Sequence, residues 1–483
     1  MSRVVVVGAG VGGLAAAARL ARAGHHVTLL ERAATVGGKL ASYERHTDVG
    51  TFRFDTGPSL LTLPDVFAEL FATCGADLRE RVDLRPLDPV VRHRFADGTW
   101  LDSSSDHATF LARIDATLGA GAAGDWDRLW RRAGRVWRAS WRDVLTRDLD
   151  RPLAAARLAW RLRDLAAIAP GVTLRDAGRR ALRDPRLRTL LDRYATYAGA
   201  DPRRAPAALL AIPYAELAHG GWYVRGGLTR LATALGELCA ETGAVVRTHE
   251  GVSRIRVDGD RATGVELDGG GFLPADVVVA NVDAAHVYGR LLPDRRRAVA
   301  HRERSLAGFV LLLGVRGASG LAHHTVTFPE RYDAEFDAVF GGRLAEDPAV
   351  FVTVADDPAV RPAGHEAWFV LVNAAPHGAV DWRAPGVADR YADRVLAVLA
   401  ARGIDVRDRL VFRELRTPAD LSDATGAPGG AIYGTPAHRL RRPGNRGPVR
   451  GLFLVGGSVH PGGGLPMVAL GARIVASAIG PAW

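Results

Sequence analysis

The chain has 483 residues, nearly half of them apolar and about a quarter charged, enough to bury a large core and build two or three structural units. Its net charge of +10 is modest for this length and comes with no recognisable nucleic-acid-binding module, and no nucleic acid partner is expected. Cys74 and Cys239 have neither metal-ligand nor disulfide-framework spacing and read as buried small hydrophobes; no histidine falls in a ligand pattern, so no metal is expected. The sequence contains no run of about twenty apolar residues and no secretory signal, which predicts a cytoplasmic protein, soluble or peripheral at the cytoplasmic membrane.

Arg3 to Glu31 reads RVVVVGAGVGGLAAAARLARAGHHVTLLE. Val4 to Val7 form an unbroken β-branched run, the mark of a strand buried on both faces, and Gly8, Gly10 and Gly13 follow in G-x-G-x-x-G spacing, with Gly12 among them. Leu14 to Ala23 are good helix formers, and Val27 to Leu30 predict a second strand ending at Glu31. Gly8 permits the tight turn, Gly10 a close approach to a pyrophosphate and Gly13 close helix packing, with the helix amino terminus facing the phosphates. Glu31 stands at about the offset of a carboxylate that accepts from ribose hydroxyls. The unit predicts a dinucleotide site.

Phe52 to Phe71 places the turn Gly57-Pro58 between a strand-like and a helix-like piece, and Val90 to Leu101, with Asp97-Gly98 at its tip, predicts a hairpin. From Asp125 to Tyr197 the periodicity is helical. Trp126, Trp130, Trp137 and Trp141 fall within about a 60° arc, opposite Arg128, Arg131, Arg132, Arg135, Arg138 and Arg142; Trp160 with Arg157, Arg161 and Arg163 continues the pattern. Two readings stay open: an aromatic face packed on the core, or a membrane surface at residues 125–145. Gly226-Gly227 marks a turn before the helix Leu228 to Cys239. Ala244 to Asn281 reads as short strands, Phe309 to Val315, Val350 to Val354 and Trp368 to Asn373 as a sheet, and Asp389 to Arg402 as a helix. Gly451 to Gly464 runs from a strand into a glycine turn, and Leu465 to Ile479 predicts a final helix whose amino terminus suits negative charge.

Several of these stretches resemble known families. Gly37, Gly38 and Lys39, as VGGK, resemble the second signature of FAD enzymes of the glutathione-reductase-like superfamily. FDTGP at 54 to 58, RYATYAGADPRRAP at 193 to 206, GGWYVRGG at 220 to 227 and LFLVGGSVHPGGGLPMV at 452 to 468 look like the bacterial carotenoid desaturases over essentially the whole chain. The last stretch and RYATYAGADP are closer in wording to the hydroxycarotenoid and methoxyneurosporene desaturase branch than to phytoene desaturases proper.

The resemblance implies an α/β fold: a Rossmann-like FAD-binding domain in three parts (1–90, 216–290, 441–483), a helical insert with the substrate- or membrane-facing region (91–215) and a mixed α+β substrate domain (291–440). It implies FAD as sole redox cofactor, held by Gly8, Gly10, Gly12, Gly13, Glu31, Arg32, Gly38, Lys39, Gly57, Pro58, Ser59, Val252, Gly456, Gly457, Gly463, Gly464, Leu465, Pro466 and Met467. The implied reaction removes two hydrogens from a C–C single bond of a long apolar polyene, with oxygen or a quinone reoxidising the flavin. His460, Glu216 and Arg203 are the candidates for a part in the chemistry. A phytoene desaturase proper, a carotenoid cis–trans isomerase, an amine-oxidase-like or protoporphyrinogen-oxidase-like flavoenzyme and a carotenoid-holding delivery protein are the alternatives.

Overall fold

The computed structural model describes residues 1–149, 162–292, 303–438 and 442–482. The valine run is unbroken because both of its faces are covered. Val4 and Val6 pack among helices, while Val5 and Val7 pack under a three-stranded meander. Arg3–Val7 is the central strand of a five-stranded parallel sheet, in the order Leu452–Leu454, Val277–Ala280, Arg3–Val7, His26–Leu30, Val245–Arg247. Its strands therefore come from three stretches far apart in the chain. On one face lies the first helix, Val11–Arg22, whose small residues let the helices Thr229–Glu241 and Leu465–Ile479 pack against it. The meander Val252–Asp258, Arg261–Leu267, Phe272–Pro274 covers the other face.

A second sheet has seven strands, in the order Leu410–Arg416, Ala307–Arg316, His365–Ala374, Val350–Val354, His324–Thr327, Arg92–Arg94, Trp100–Asp102. Neighbours are antiparallel except His324–Thr327 beside Arg92–Arg94. The hairpin expected at 90–101 is thus present, and it forms the end of this sheet rather than a part of the helical insert. Alternation divides the sheet's faces. Phe309, Leu311, Leu313, Trp368 and Val370 pack on the helix Val387–Ala401. Val310, Leu312 and Phe369 face the other way, onto Phe52 and Phe54 of the hairpin Ser42–Thr47 / Gly50–Asp55.

Helices fill most of 107–219, and their starts are written locally. Asp106 accepts from the Thr109 N–H at 2.7 Å, and Asp184, followed by Pro185, accepts from the Arg186 N–H at 2.7 Å. The long helix Ala122–Ser140 decides between the two readings of the tryptophan stripe. Trp126 and Trp137 are buried. Trp126 meets Phe110 edge-on at 5.5 Å, and Trp130 is held between His107 at 4.8 Å and Tyr214 at 4.5 Å. Trp137 lies 5.0 Å from Trp141. The stripe packs as a core face, with Trp126 and Trp137 buried and Trp130 and Trp141 partly so, which is the first of the two readings. The arginine face is solvated: the Arg128 and Arg131 side chains are 61% and 65% exposed. Arg157, Trp160 and Arg161 lie outside the described residues. Of the two cysteines, Cys239 is buried as expected, whereas Cys74 is only partly buried.

Candidate functional site

The site is built on backbone. Gly8 has φ +94°, and its N–H donates to the Leu30 carbonyl at 2.7 Å. A Cβ on Gly13 would stand 2.0 Å from the Gly8 carbonyl oxygen, so only glycine lets the helix begin this close to the strand. Beneath the loop lies a residue that the sequence reading passed over. Asn281, which follows the strand Val277–Ala280, donates Nδ2 to the Gly8 carbonyl at 3.1 Å. Its side chain lies 2.8 Å and 2.7 Å from where a Cβ on Gly10 or Gly12 would be. The only signal for it was that ADVVVAN ends an apolar strand with a polar residue, which says nothing until that strand is seen to pair with Arg3–Val7.

Glu31 sits at the carboxyl end of the second strand and faces the loop: Oε2 accepts from the Ala9 N–H at 2.7 Å and Oε1 from the Ala33 N–H at 2.9 Å. The Glu31 carbonyl accepts from the Glu250 N–H at 2.8 Å, which brings Val252, at the start of the meander, to the same end of the sheet. Arg32 reaches away to the Asp423 carbonyl.

Two further turns stack on the first. The Gly37 N–H donates to the Ala9 carbonyl at 2.8 Å, and a Cβ on Gly38 would lie 3.1 Å from the Gly10 Cα. A Cβ on Gly57 would lie 1.9 Å from the Lys39 carbonyl oxygen, which fixes FDTGP against VGGK. Lys39 is half-buried, with Nζ donating to the Ile432 carbonyl at 2.6 Å; desolvation pushes its ammonium below the usual range, against the pull of Asp283. Ser59 Oγ, beyond Pro58, is 3.0 Å from Thr353 Oγ1 on the second sheet. Asp55 of the same segment accepts from the Leu228 and Thr229 N–H groups at 2.7 and 3.0 Å and from the Thr229 hydroxyl at 2.8 Å. Asp357 accepts from the Tyr223 hydroxyl at 2.8 Å and the Gly226 N–H at 2.7 Å. Two carboxylates thus hold the Gly226-Gly227 turn, a role the sequence reading did not assign.

The carboxyl-terminal turn closes the cradle. A Cβ on Gly456 would lie 3.1 Å from Asn281 Oδ1, and one on Gly12 would lie 3.3 Å from the Gly456 nitrogen. Arg442 Nη1 donates to the Gly457 carbonyl at 2.7 Å and to the Tyr433 carbonyl at 3.0 Å. A Cβ on Gly463 would stand 2.2 Å from the Tyr433 ring. Gly464, φ +99°, precedes the helix that begins Leu465-Pro466-Met467, and Val468 in its first turn abuts Gly12. The cofactor-binding residues expected from sequence are therefore brought together, apart from the outward-turned Arg32 side chain. The cradle, its helix amino termini, Glu31 and Lys39 present donors and positive charge suited to an anionic cofactor.

The catalytic candidates fare differently. Arg203 pairs through its guanidinium with Asp201 at 2.7 Å and Asp337 at 2.7 Å, tying its own turn to the helix Tyr332–Phe340. His460 Nε2 lies 3.0 Å from the Arg147 carbonyl, and its backbone N–H donates to the Pro443 carbonyl at 2.9 Å, so it joins the glycine turn to the chain after the long helix. Glu216 is buried and accepts from the Tyr194 hydroxyl at 2.8 Å.

A Rossmann-type sheet bearing this three-turn cradle, with a second sheet packed on the Phe52/Phe54 hairpin that leads into it, defines a two-domain flavin-dependent oxidoreductase. Residues 11–480 match the family described as flavin containing amine oxidoreductase. Over 489 residues the chain is 35% identical to a 4,4'-diapolycopene oxygenase of Methylomonas sp, covering 98% of this chain and 97% of that protein. It is also 35% identical to a hydroxyneurosporene desaturase of Cereibacter sphaeroides, covering 99% of this chain and 97% of the relative. Among solved structures, an oxidoreductase from Methanosarcina mazei shares the fold with TM-score 0.66 at 18% identity, covering 98% of this chain and all of that one. The chain belongs to the flavin containing amine oxidoreductases and, within them, to the bacterial carotenoid desaturase family.

Proposed function

We propose that the protein binds FAD and desaturates an acyclic carotenoid, removing one hydrogen from each of two adjacent carbons of a single bond. The observation that carries this reading is end-to-end similarity to proteins named as carotenoid desaturases and oxygenases. FAD is favoured over a smaller flavin by Glu31, whose carboxylate stands where an adenosine ribose would present its hydroxyls, beside a helix amino terminus suited to a pyrophosphate. When bound, FAD supplies a two-electron acceptor that takes hydride at N5, and the second hydrogen leaves as a proton to water or a weak base.

The chain's own part is placement and exclusion. Lys39 and the start of the helix Leu465–Ile479 favour negative charge at the flavin end. Phe52 and Phe54 pack on Leu312 and Phe369 of the second sheet, an apolar layer beside the FDTGP segment. A polyene is held in lipid, so the protein meets its substrate at the cytoplasmic membrane, through a surface other than the aromatic stripe of Ala122–Ser140. Oxygen or a quinone reoxidises the flavin.

The test is anaerobic. Flavin-loaded protein is mixed with liposomes carrying phytoene, neurosporene or a hydroxylated acyclic carotenoid, and flavin bleaching and product mass are followed. Bleaching with loss of two hydrogens is expected. An altered isomer pattern at unchanged mass would move the reading to an isomerase. Bleaching by an amine but by no carotenoid would overturn it.

A further inference from the structure

Four arginines are buried among the described residues, and three of them follow one rule. Arg19 meets Glu69, Arg175 meets Asp192 at 2.7 Å and Asp333 at 2.6 Å, and Arg402 meets Asp347. A guanidinium out of water is costly unless a carboxylate stands against it. Arg193, the last residue of the helix Pro185–Arg193, breaks the rule. It is 7% exposed, no carboxylate of the described residues forms an ion pair with it, and its Nη1 has no hydrogen-bond partner. Its guanidinium carbon lies over two rings instead, 4.9 Å from the centre of Tyr197 and 5.6 Å from that of Phe351.

The surroundings say what the unused donor suits. Glu216 is close enough to stabilise the Arg193 charge, yet its carboxylate is turned to the Tyr194 hydroxyl, and Tyr194 stacks on Tyr197 at 5.5 Å. The charge is balanced at a distance while the donor stays free, so a neutral acceptor fits the place better than a carboxylate. The place also connects to the flavin end. Phe351 and Thr353 lie on one face of the strand Val350–Val354, about 7 Å apart, and Thr353 touches Ser59 of the FDTGPS turn. His324, paired with Thr353 across the sheet, stacks on Phe351 at 5.4 Å. A buried guanidinium set over Tyr197 and Phe351 with one donor unused suits a neutral oxygen on an otherwise apolar molecule.

We propose that Arg193 is a specificity-determining residue whose Nη1 donates to a neutral oxygen, hydroxyl or carbonyl, at the end of an otherwise apolar polyene. The proposal rests on the carotenoid reading above. Glu216 and Tyr197 are positioning residues: they hold the guanidinium without consuming the donor.

The test compares an acyclic carotenoid with its terminally hydroxylated counterpart, each presented in liposomes to flavin-loaded wild type, Arg193→Leu and Arg193→Lys. Binding is read from the polyene absorption shift and turnover from flavin bleaching. Wild type is expected to prefer the hydroxylated polyene by about 10- to 100-fold in kcat/KM, the range of one hydrogen bond to a charged group. Arg193→Leu should abolish that preference while leaving the hydrocarbon unchanged or faster, and Arg193→Lys should restore part of it. Equal losses on both polyenes, or none, overturn the proposal, as does a changed rate of flavin reduction by dithionite, which would place the charge on the flavin. Should wild type oxidise neither polyene, the desaturase reading fails; binding of the pair still decides this one, supported if Arg193→Leu loses the discrimination and overturned if wild type has none. If Arg193→Leu does not retain flavin, Arg193→Gln and Tyr197→Leu, which removes the ring under the guanidinium, are read the same way, with reduced preference expected and unchanged preference contrary.

Discussion

Replacing Asp55 with alanine tests whether the FDTGP segment works by holding a helix rather than by touching the flavin. The carboxylate takes three hydrogen bonds, from the Leu228 N–H, the Thr229 N–H and the Thr229 hydroxyl, at 2.7, 3.0 and 2.8 Å. Burial pushes its carboxyl above the ordinary range, and those bonds pull it back. In Asp55→Ala the hydroxyl can turn elsewhere, but two backbone donors at the head of Thr229–Glu241 lose their acceptor. Each costs about 1–3 kcal/mol, and relief of the carboxylate's own desolvation offsets part of the sum, leaving a loss of about 2–4 kcal/mol. Asp55→Asn keeps one acceptor oxygen and should lose about half as much; Thr229→Val, which removes only the hydroxyl bond, should lose about 1 kcal/mol. Urea unfolding of the flavin-loaded protein, followed by tryptophan fluorescence and flavin release, reads all three. An unchanged midpoint and slope for Asp55→Ala would refute the capping role. Normal stability with lost turnover would move Asp55 to the chemistry.

Three further outcomes follow from the geometry. Gly57→Ala places a methyl where the Lys39 carbonyl oxygen stands, so VGGK must shift by about 1 Å; flavin content of purified protein should fall severalfold while the second sheet stays folded by circular dichroism. Trp137→Ala should destabilise folding by about 3–5 kcal/mol and leave liposome binding per folded molecule unchanged, since the ring is 8% exposed; weakened binding at unchanged stability would restore the membrane reading of the stripe. Burial pushes the Glu335 carboxyl up to about 7, despite hydrogen bonds from the Ala349 N–H and Asn373. Its folded value lies above the unfolded one, so its share of stability is complete below about pH 4.5 and is lost as pH rises through about 7. Glu335→Gln should reduce the fall in urea midpoint between about pH 5 and about pH 8; an equal fall in both proteins would contradict that assignment.

Much of the cofactor cradle was legible because it is made of local backbone demands. A glycine spacing after a β-branched run constrains a turn wherever that run sits in the fold, and the same holds for VGGK and the glycine turn after Leu454. The helix Leu465–Ile479 was read with the observed bounds because Gly464 and Gly480 delimit an uninterrupted apolar run. What the sequence hid were roles that depend on distant partners. Asn281 gains its function only when its strand lies beside Arg3–Val7, and Asp55 only when Gly227 comes to rest against it. The tryptophan stripe was ambiguous for the same reason, because amphipathic periodicity identifies a buried face without saying what buries it. The ion pairs of Arg203 were hidden likewise, because the ADPRRAP wording places Asp201 beside it but not Asp337.

The five-stranded sheet joins Val4 to Val277 and Val278 to Leu452. A ribosome therefore releases the first strand and first helix long before their neighbours exist, and loop closure on this scale is slow. Until Leu452–Leu454 and the final helix emerge, the first helix lacks one of its two packing partners and the glycine loop lacks the turn that closes it. Cofactor capture is accordingly a late event in the life of each molecule.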